Sequence, residues 1–404
     1  MSPSSTNVLI YRVKKIRLVG DIIAVRPVLL RGSTPLIFPN LWVIDVASPT
    51  KVNTIQSYLE DLIPLYEWAD GRGLCLFKRF KDFQSLSASE VRSLIARLSD
   101  RKDGGKVSWK TFLRRLISAR QFLSWLFDWH LDPLSHSESV LYTGQKRKEQ
   151  LDRRLLRGGR NSAIPNATRP AATIQPARLE QIAATLHPVS GARIFKLDAV
   201  SKRNYVLFQT LRETWARRGE VVLLETDDLY LGSEPSIRFK DPSDSNKAKR
   251  KDGASKKTRG RVFPISGELS RDLDDYLETA RNDLRKPRVI TKALFLSARD
   301  GQRLGAKTVN QILKKVALHL AESATQGQGQ TRDSLRLHPH ALRKAGANDF
   351  RQQQPEGGGA LAEAEIRDSM TYLAGWSEKS TMPAHYAQEA LQKRVSEKIR
   401  KGIR

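Results

Sequence analysis

Along the first 47 residues, apolar and polar positions alternate in short runs (Val8 and Ile10; Ile22, Ile23 and Val25; 28–30; 41–46), interrupted by Gly32, Pro35 and Pro39. This short period predicts strands and loops. At Val52 the period lengthens to that of a helix. Ile55, Tyr58, Leu59, Leu62, Ile63 and Tyr66 form one stripe that ends near Gly71 and Gly73, with Pro64 expected to kink it. Ser87 and Glu90 make a capping-box pattern that opens a second helix, burying Val91, Leu94, Ile95 and Leu98. Trp109, Phe112, Leu113, Leu116, Leu123 and Leu126 mark a third, long amphipathic helix, stopped at Leu131 and Pro133, whose other faces carry Lys110, Arg114, Arg115 and Arg120.

From about 135 to 176 no period is visible, while Lys146, Arg147, Lys148, Arg153, Arg154, Arg157 and Arg160 accumulate among Gly158, Gly159, Pro165 and Pro170. This predicts a basic linker, either solvated or laid along a polyanion. Beyond Pro176 the pattern is mainly helical, with a strand-rich interval at 221–264 and further helices over 268–281, 309–321 and 340–351. A glycine-bearing insert follows at 352–359, and 387–404 form an amphipathic basic tail. The expected organisation is a β-rich extension (1–47), a helical domain (48–135), a linker (136–176) and a second domain (177–404). The class is mainly α with a small β-sheet in the second domain (α+β).

Charge narrows the partner. Seventy Lys and Arg face 43 Asp and Glu, a formal +27 over 404 residues, which points to a polyanion, most commonly nucleic acid. A membrane surface is the rival, weakened because no apolar run reaches the ~18 residues of a spanning helix and no secretory leader is visible at the N-terminus. The single Cys75 excludes an internal disulfide framework and a cysteine-built zinc site. The seven histidines are scattered, so a histidine metal cluster is not expected.

Four stretches can carry chemistry. Arg217 and Glu220 sit three apart at a helix start, able to pair and to hold a guanidinium for bidentate contact with an oxyanion, or to be an ordinary helical ion pair. His340 and Arg343 place a proton-transfer group and a second guanidinium on one helical turn. The stretch 372–386 holds Trp376 between two tyrosines, Tyr372 and Tyr386, and spacing alone makes neither a nucleophile. The stretch 241–261, with Lys247, Lys249, Arg250, Lys251, Lys256, Lys257, Arg259 and Arg261, reads as a basic β-hairpin or a solvated turn.

The order of these stretches resembles the catalytic domain of tyrosine recombinases, the phage integrase family. Arg217 with Glu220, Leu224 and Asp228 is similar to that family's first arginine box; His340-Ala-Leu-Arg343, followed by Lys344, is similar to its His-x-x-Arg box. Leu373-Ala-Gly-Trp376 resembles its Leu-Gly-His motif, with Trp in the last place, and Tyr386 falls where the nucleophile is expected. The family's hairpin lysine stands five places before an Arg-x-x-Pro pattern, here Arg261 and Pro264, which selects Lys256 with Lys257 as the close runner-up. Upstream, 52–133 resembles the family's helical core-binding (SAM-like) domain. Ala216 stands where Leu or Phe is usual, and the interval from Trp376 to Tyr386 is one residue longer than the commonest spacing, marking a divergent, mobile-element type.

The resemblance implies a site-specific recombinase in which Tyr386 attacks a DNA phosphate to give a 3′-phosphotyrosyl enzyme. Arg217 and Arg343 would neutralise the phosphoryl oxygens, Lys256 would protonate the leaving 5′-oxygen, His340 would assist proton transfer, Trp376 would brace the site and Glu220 would orient Arg217. Neither cofactor nor metal is implied. The expected partner is double-stranded DNA, contacted also by Lys110, Arg114, Arg115, Arg120, Lys257, Arg259 and Lys344. A homotetramer on two DNA sites is implied, with or without partner recombinases, in the cytoplasm with the nucleoid. A type IB topoisomerase and a catalytically inactive DNA-binding accessory protein are the alternatives.

Overall fold

The computed structural model describes residues 11–18, 24–47, 52–101, 103–131, 137–160, 173–190, 192–241, 259–325, 337–354, 359–384, 395–396 and 399–400. The chain divides into two compact units, Met1–Arg169 and Pro170–Arg404.

In the first unit, β1 (Tyr11–Leu18) and β2 (Ala24–Arg31) pair antiparallel, with Tyr11 opposite Arg31, and the short β3 (Thr34–Pro35) returns on β2. The alternation read over the remainder of this segment does not yield a strand. Residues Ile37–Ala47 form helix α1, a correction with a simple cause. Pro39 lies in its first turn, where a missing N–H is harmless, and apolar residues at most positions blur the helical period. Trp42 on this helix is fully buried and packs edge-on against Phe122 at 5.6 Å between ring centres. The hairpin is part of the same unit, because β1 and β2 pack on α2 (Val52–Asp70). Asn40 bonds both the N–H and the carbonyl of Leu29, and Asp70 accepts from Tyr11 and pairs with Arg31.

Helix α2 runs through Pro64 and buries Ile55, Leu59, Leu62 and Leu65. After α3 (Leu76–Lys81), α4 (Ala88–Ser99) starts in the predicted reciprocal capping box of Ser87 and Glu90 and buries the four predicted apolar residues. Helix α5 (Trp109–His130) is capped by Ser108 and runs through the shared core, with Phe112, Phe122, Leu123 and Phe127 each buried.

The largest departure is α6 (Glu138–Arg160), a helix where a basic linker was expected. It packs against α4 and α5 and buries Leu151 and Leu155. Its contact stripe includes Gly144, Gly158 and Gly159. A Cβ added at Gly158 would lie 2.1 Å from Ile95, and one at Gly159 2.3 Å from Leu116. Small residues chosen for close approach leave no hydrophobic period to read, so the helix is hidden in a sequence that shows mostly its basic outer face.

The second unit is built around α8 (Asp198–Thr214), whose Leu207, Phe208 and Leu211 are fully buried. It packs against α7 (Pro176–Leu186), α9 (Arg218–Val222), α10 (Gly267–Glu278), α11 (Ala280–Leu284) and α13 (Pro339–Gln353). Strands β4 (Leu229–Tyr230), β5 (Ser236–Phe239) and β6 (Arg261–Pro264) form an antiparallel sheet in that order. The β5–β6 pair, with Phe239 opposite Arg261, supplies the two arms of the expected basic hairpin; residues 242–258 lie outside the described residues. Helix α12 (Ala306–Thr325) packs on α7, α9 and α13, and α14 (Gly359–Ala374) on α13 and β6. No helix among the described residues is long and apolar enough to cross a membrane.

Candidate active site

The site is assembled from the ends of helices. Helix α8 stops because Trp215 adopts a left-handed conformation, φ 51°, which costs a non-glycine residue ~1–2 kcal/mol. Burial of its indole holds it there, between Phe263 and Phe350 at ring distances of 5.9 and 5.3 Å. Gly346 makes the room, since a Cβ there would sit 2.2 Å from the indole. The turn has two effects. It aims the Trp215 carbonyl at α13, and it sets Arg217 as the N-cap residue of α9.

Arg217 and Glu220 do come together, though not as a guanidinium–carboxylate pair. Glu220 Oε2 accepts from the Arg217 backbone N–H at 2.7 Å, and its Oε1 pairs with Arg261 at 3.0 Å. The Arg217 guanidinium is thereby left to point elsewhere. Its Nη1 is buried, and among the described residues nothing accepts a hydrogen bond from it.

Helix α13 carries His340 and Arg343 one turn apart. Arg343 is 2% exposed. Its Nη1 donates to the Trp215 carbonyl at 2.5 Å and its Nη2 to the Ala374 carbonyl at 2.7 Å. Both acceptors lie where a helix ends, and the partial negative charge of a helix C-terminus compensates a guanidinium taken out of water. Trp376 closes the arrangement. The α14 helix ends at Gly375, φ 63°, whose N–H bonds Tyr372 while that of Trp376 bonds Thr371. This left-handed cap turns the buried Trp376 ring to within 5.2 Å of the Arg343 guanidinium, a favourable cation–π geometry.

His340 lies in the field of these cations. Burial of part of its ring, then His338, Arg343, Arg217 and Lys344, hold its pKa below the ordinary imidazole value. Each of these favours the neutral form. Its neighbour His338 caps α13, with Nδ1 accepting from the Ala341 N–H at 3.1 Å, and the two imidazoles lie nearly parallel.

Arg259 and Tyr372 belong to a seam beside the site. The Arg259 N–H donates to the Gly375 carbonyl at 3.2 Å, its guanidinium pairs with Glu378 at 2.6 Å, and Tyr372 Oη donates to the Val262 carbonyl at 3.3 Å. The foot of β6 is thus bonded to the turn that carries Trp376.

The structure therefore gathers Arg217, Glu220, His340, Arg343 and Trp376, with Lys344 close enough to act on His340. Lys256, Lys257 and Tyr386 lie outside the described residues. The cations named on α5 are in the first unit. Lys110 is exposed, but Arg114 pairs with the buried Asp61, Arg115 donates to the carbonyls of Leu98 and Asp100, and Arg120 pairs with Asp152. Two contributors escaped the sequence reading, Trp215 and Arg261. No residue pattern announces a left-handed tryptophan, whereas Arg261 was visible in the Arg-x-x-Pro pattern but used there as a ruler.

The family model described as the phage integrase family matches residues 173–392. Among solved structures, the fold is similar to a Tn1549 transposon integrase in complex with circular intermediate DNA, at 17% identity, TM-score 0.53, and coverage of 86% of this chain and 94% of that one. It is also similar to the XerH site-specific recombinase bound to difH substrate, at 15% identity, TM-score 0.53, and coverage of 88% and 82%. No curated protein matches the chain.

Proposed function

The chain belongs to the phage integrase family, and from that premise we propose how this site-specific tyrosine recombinase cleaves and rejoins DNA. The observation that carries the reading is the buried Nη1 of Arg217, which has no acceptor among the described residues and lies close enough to His340 to lower its pKa. A buried unsatisfied donor is costly, and a phosphoryl oxygen is the acceptor that the neighbouring cations would favour.

In this reading the Tyr386 phenol oxygen attacks the scissile phosphorus. The new O–P bond forms as the bond to the 5′-oxygen breaks, leaving a 3′-phosphotyrosyl link. The phenolic proton leaves toward His340, which its surroundings keep neutral and able to accept it. Lys256 delivers a proton to the departing 5′-oxygen, with Lys257 the alternative donor. Arg217 and Arg343 offset charge on the non-bridging oxygens, Arg343 from a fixed seat between two helix ends. A 5′-hydroxyl later attacks the phosphotyrosine, and the same groups act in reverse.

The DNA complexes among the similar folds support double-stranded DNA as the substrate. The first unit would be the core-binding half and the second the catalytic half, in a homotetramer on two sites. The similar integrase of a transposon supports integration or excision of a mobile element as the outcome, in the compartment that holds the chromosome.

A nicked duplex carrying the DNA junction that flanks the encoding locus tests this. The parent protein is expected to accumulate a covalent protein–DNA adduct on it, Tyr372→Phe to retain the adduct, and Tyr386→Phe to lose it. An adduct that survives Tyr386→Phe overturns the assignment of the nucleophile.

A further inference from the structure

Among the described residues, the Arg261–Glu220 pair is the most deeply buried ion pair in the second unit, with side chains 1% and 3% exposed and 3.0 Å apart. Taking two charges out of water is expensive, and such a pair is weak evidence for stability as such. Its placement suggests a different use. Arg261 opens β6 and is held on its other face by the Phe239 ring, 4.3 Å from the guanidinium carbon, across the β5–β6 ladder. Its main chain is therefore set by the sheet, and its guanidinium lies between the Phe239 ring and Glu220 of α9. Glu220 spends one oxygen on Arg261 and the other on the Arg217 backbone N–H at 2.7 Å. The chain of contacts runs from a sheet residue, through one carboxylate, to the main chain of the arginine whose Nη1 is buried without an acceptor among the described residues.

We infer that Arg261 is a positioning residue for phosphoryl recognition, acting through Glu220 to set the main-chain position from which Arg217 reaches the non-bridging oxygens. The inference rests on the reading of Arg217 as a phosphate ligand. Three features support it. Both oxygens of the carboxylate are engaged, Oε1 by Arg261 and Oε2 by the Arg217 N–H, so the bond to Arg261 holds Glu220 on the main chain of Arg217 rather than on its guanidinium. The sheet provides a rigid reference, as preorganised catalysis requires. Arg217 caps a helix of five residues, too short to hold its own position without an outside contact.

The test compares two substrates that differ at one atom. Duplexes carrying the flanking junction are made with either an ordinary phosphodiester or a methylphosphonate at the scissile position, where one charged non-bridging oxygen is replaced by methyl. On the phosphodiester, Arg217→Ala should slow adduct formation by about 10²–10³-fold, and Arg261→Met by about 10²-fold, the effect of a misplacement near 1 Å. On the methylphosphonate, which presents less charge to neutralise, both variants should come close to the parent rate on that same substrate, and Arg261→Lys should lose less than Arg261→Met on either.

If Arg217→Ala is rescued by the methylphosphonate but Arg261→Met is equally slow on both substrates, Arg261 serves the fold alone and the inference is overturned. If Arg217→Ala is not itself rescued, the reading of Arg217 fails instead. Should Arg261→Met not fold, as judged by its thermal melt, Arg261→Lys keeps the buried charge and decides by the same comparison. Full activity of Arg261→Lys on the phosphodiester together with full activity of Glu220→Gln would also overturn the inference.

Discussion

At the scale of single residues, His340 carries the sharpest expectation. Partial burial first, then His338, Arg343, Arg217 and Lys344, lower its pKa. The folded protein thus binds a proton less readily than the unfolded chain, whose histidine titrates near 6.5. The sign follows from linkage: as pH falls below about 6.5 the unfolded state takes up the proton first, and stability is lost until the folded-state pKa is passed. Above that window the histidine is neutral in both states and has no effect on stability. The same shift bears on chemistry, since a base that stays neutral at lower pH keeps accepting the tyrosine proton. The acid limb of the pH–rate profile for adduct formation should therefore lie below pH 6.5. In Lys344→Gln, with one neighbouring positive charge removed, it should move toward 6.5. A limb that does not move would mean that Lys344 does not act on the titrating group. At this scale the short patterns around Arg217, His340, Arg343 and Trp376 were each open in the sequence to an ordinary structural reading, and only their order along the chain singled them out. The partner of Glu220 was not. Arg261 is 41 positions away, and only the strand pairing brings it back.

At the scale of elements, legibility followed how hydrophobic each buried stripe is. Helices α2, α4 and α5 bury Leu, Ile and Phe at helical intervals, and the start of α4 was marked by Ser87 and Glu90. Helix α6 buries two leucines and lets glycines make the rest of its contact, so its basic face dominated the reading. Helix α1 failed for the opposite reason, an excess of apolar residues without a clear period. The reassignment of α6 has a measurable consequence. Leu155, 1% exposed, should destabilise the full chain by about 2–5 kcal/mol when changed to Ala, the range for truncating a buried leucine. A residue in a solvated linker would cost within about 0.5 kcal/mol. Urea unfolding of Leu155→Ala against the parent, followed by tryptophan fluorescence, checks this, and a midpoint unchanged within error would return 138–160 to a linker.

At the scale of the whole molecule, the excess of 27 positive charges cannot be read as a uniform DNA footprint. Cations that look alike in sequence divide into two classes in the structure. Arg115, Arg203, Arg281 and Arg303 donate to backbone carbonyls, and Arg343 does so inside the site. These cations satisfy the ends of helices and loops, each within its own unit. Lys110, exposed at the start of α5, belongs to the other class, as a group able to meet a phosphate. The distinction can be measured because each phosphate neutralised adds about 0.9 to the slope of log affinity against log salt. Lys110→Gln is expected to lower that slope by about one while leaving the urea midpoint unchanged. Arg115→Gln, which strips two carbonyls of their donor, is expected to lower the midpoint and leave the slope as it was. The measurement is duplex binding by fluorescence anisotropy over a salt series, paired with urea melts of both variants. An unchanged slope in Lys110→Gln would remove this end of α5 from the interface, and a reduced slope in Arg115→Gln at unchanged stability would show that its carbonyl contacts give way to DNA.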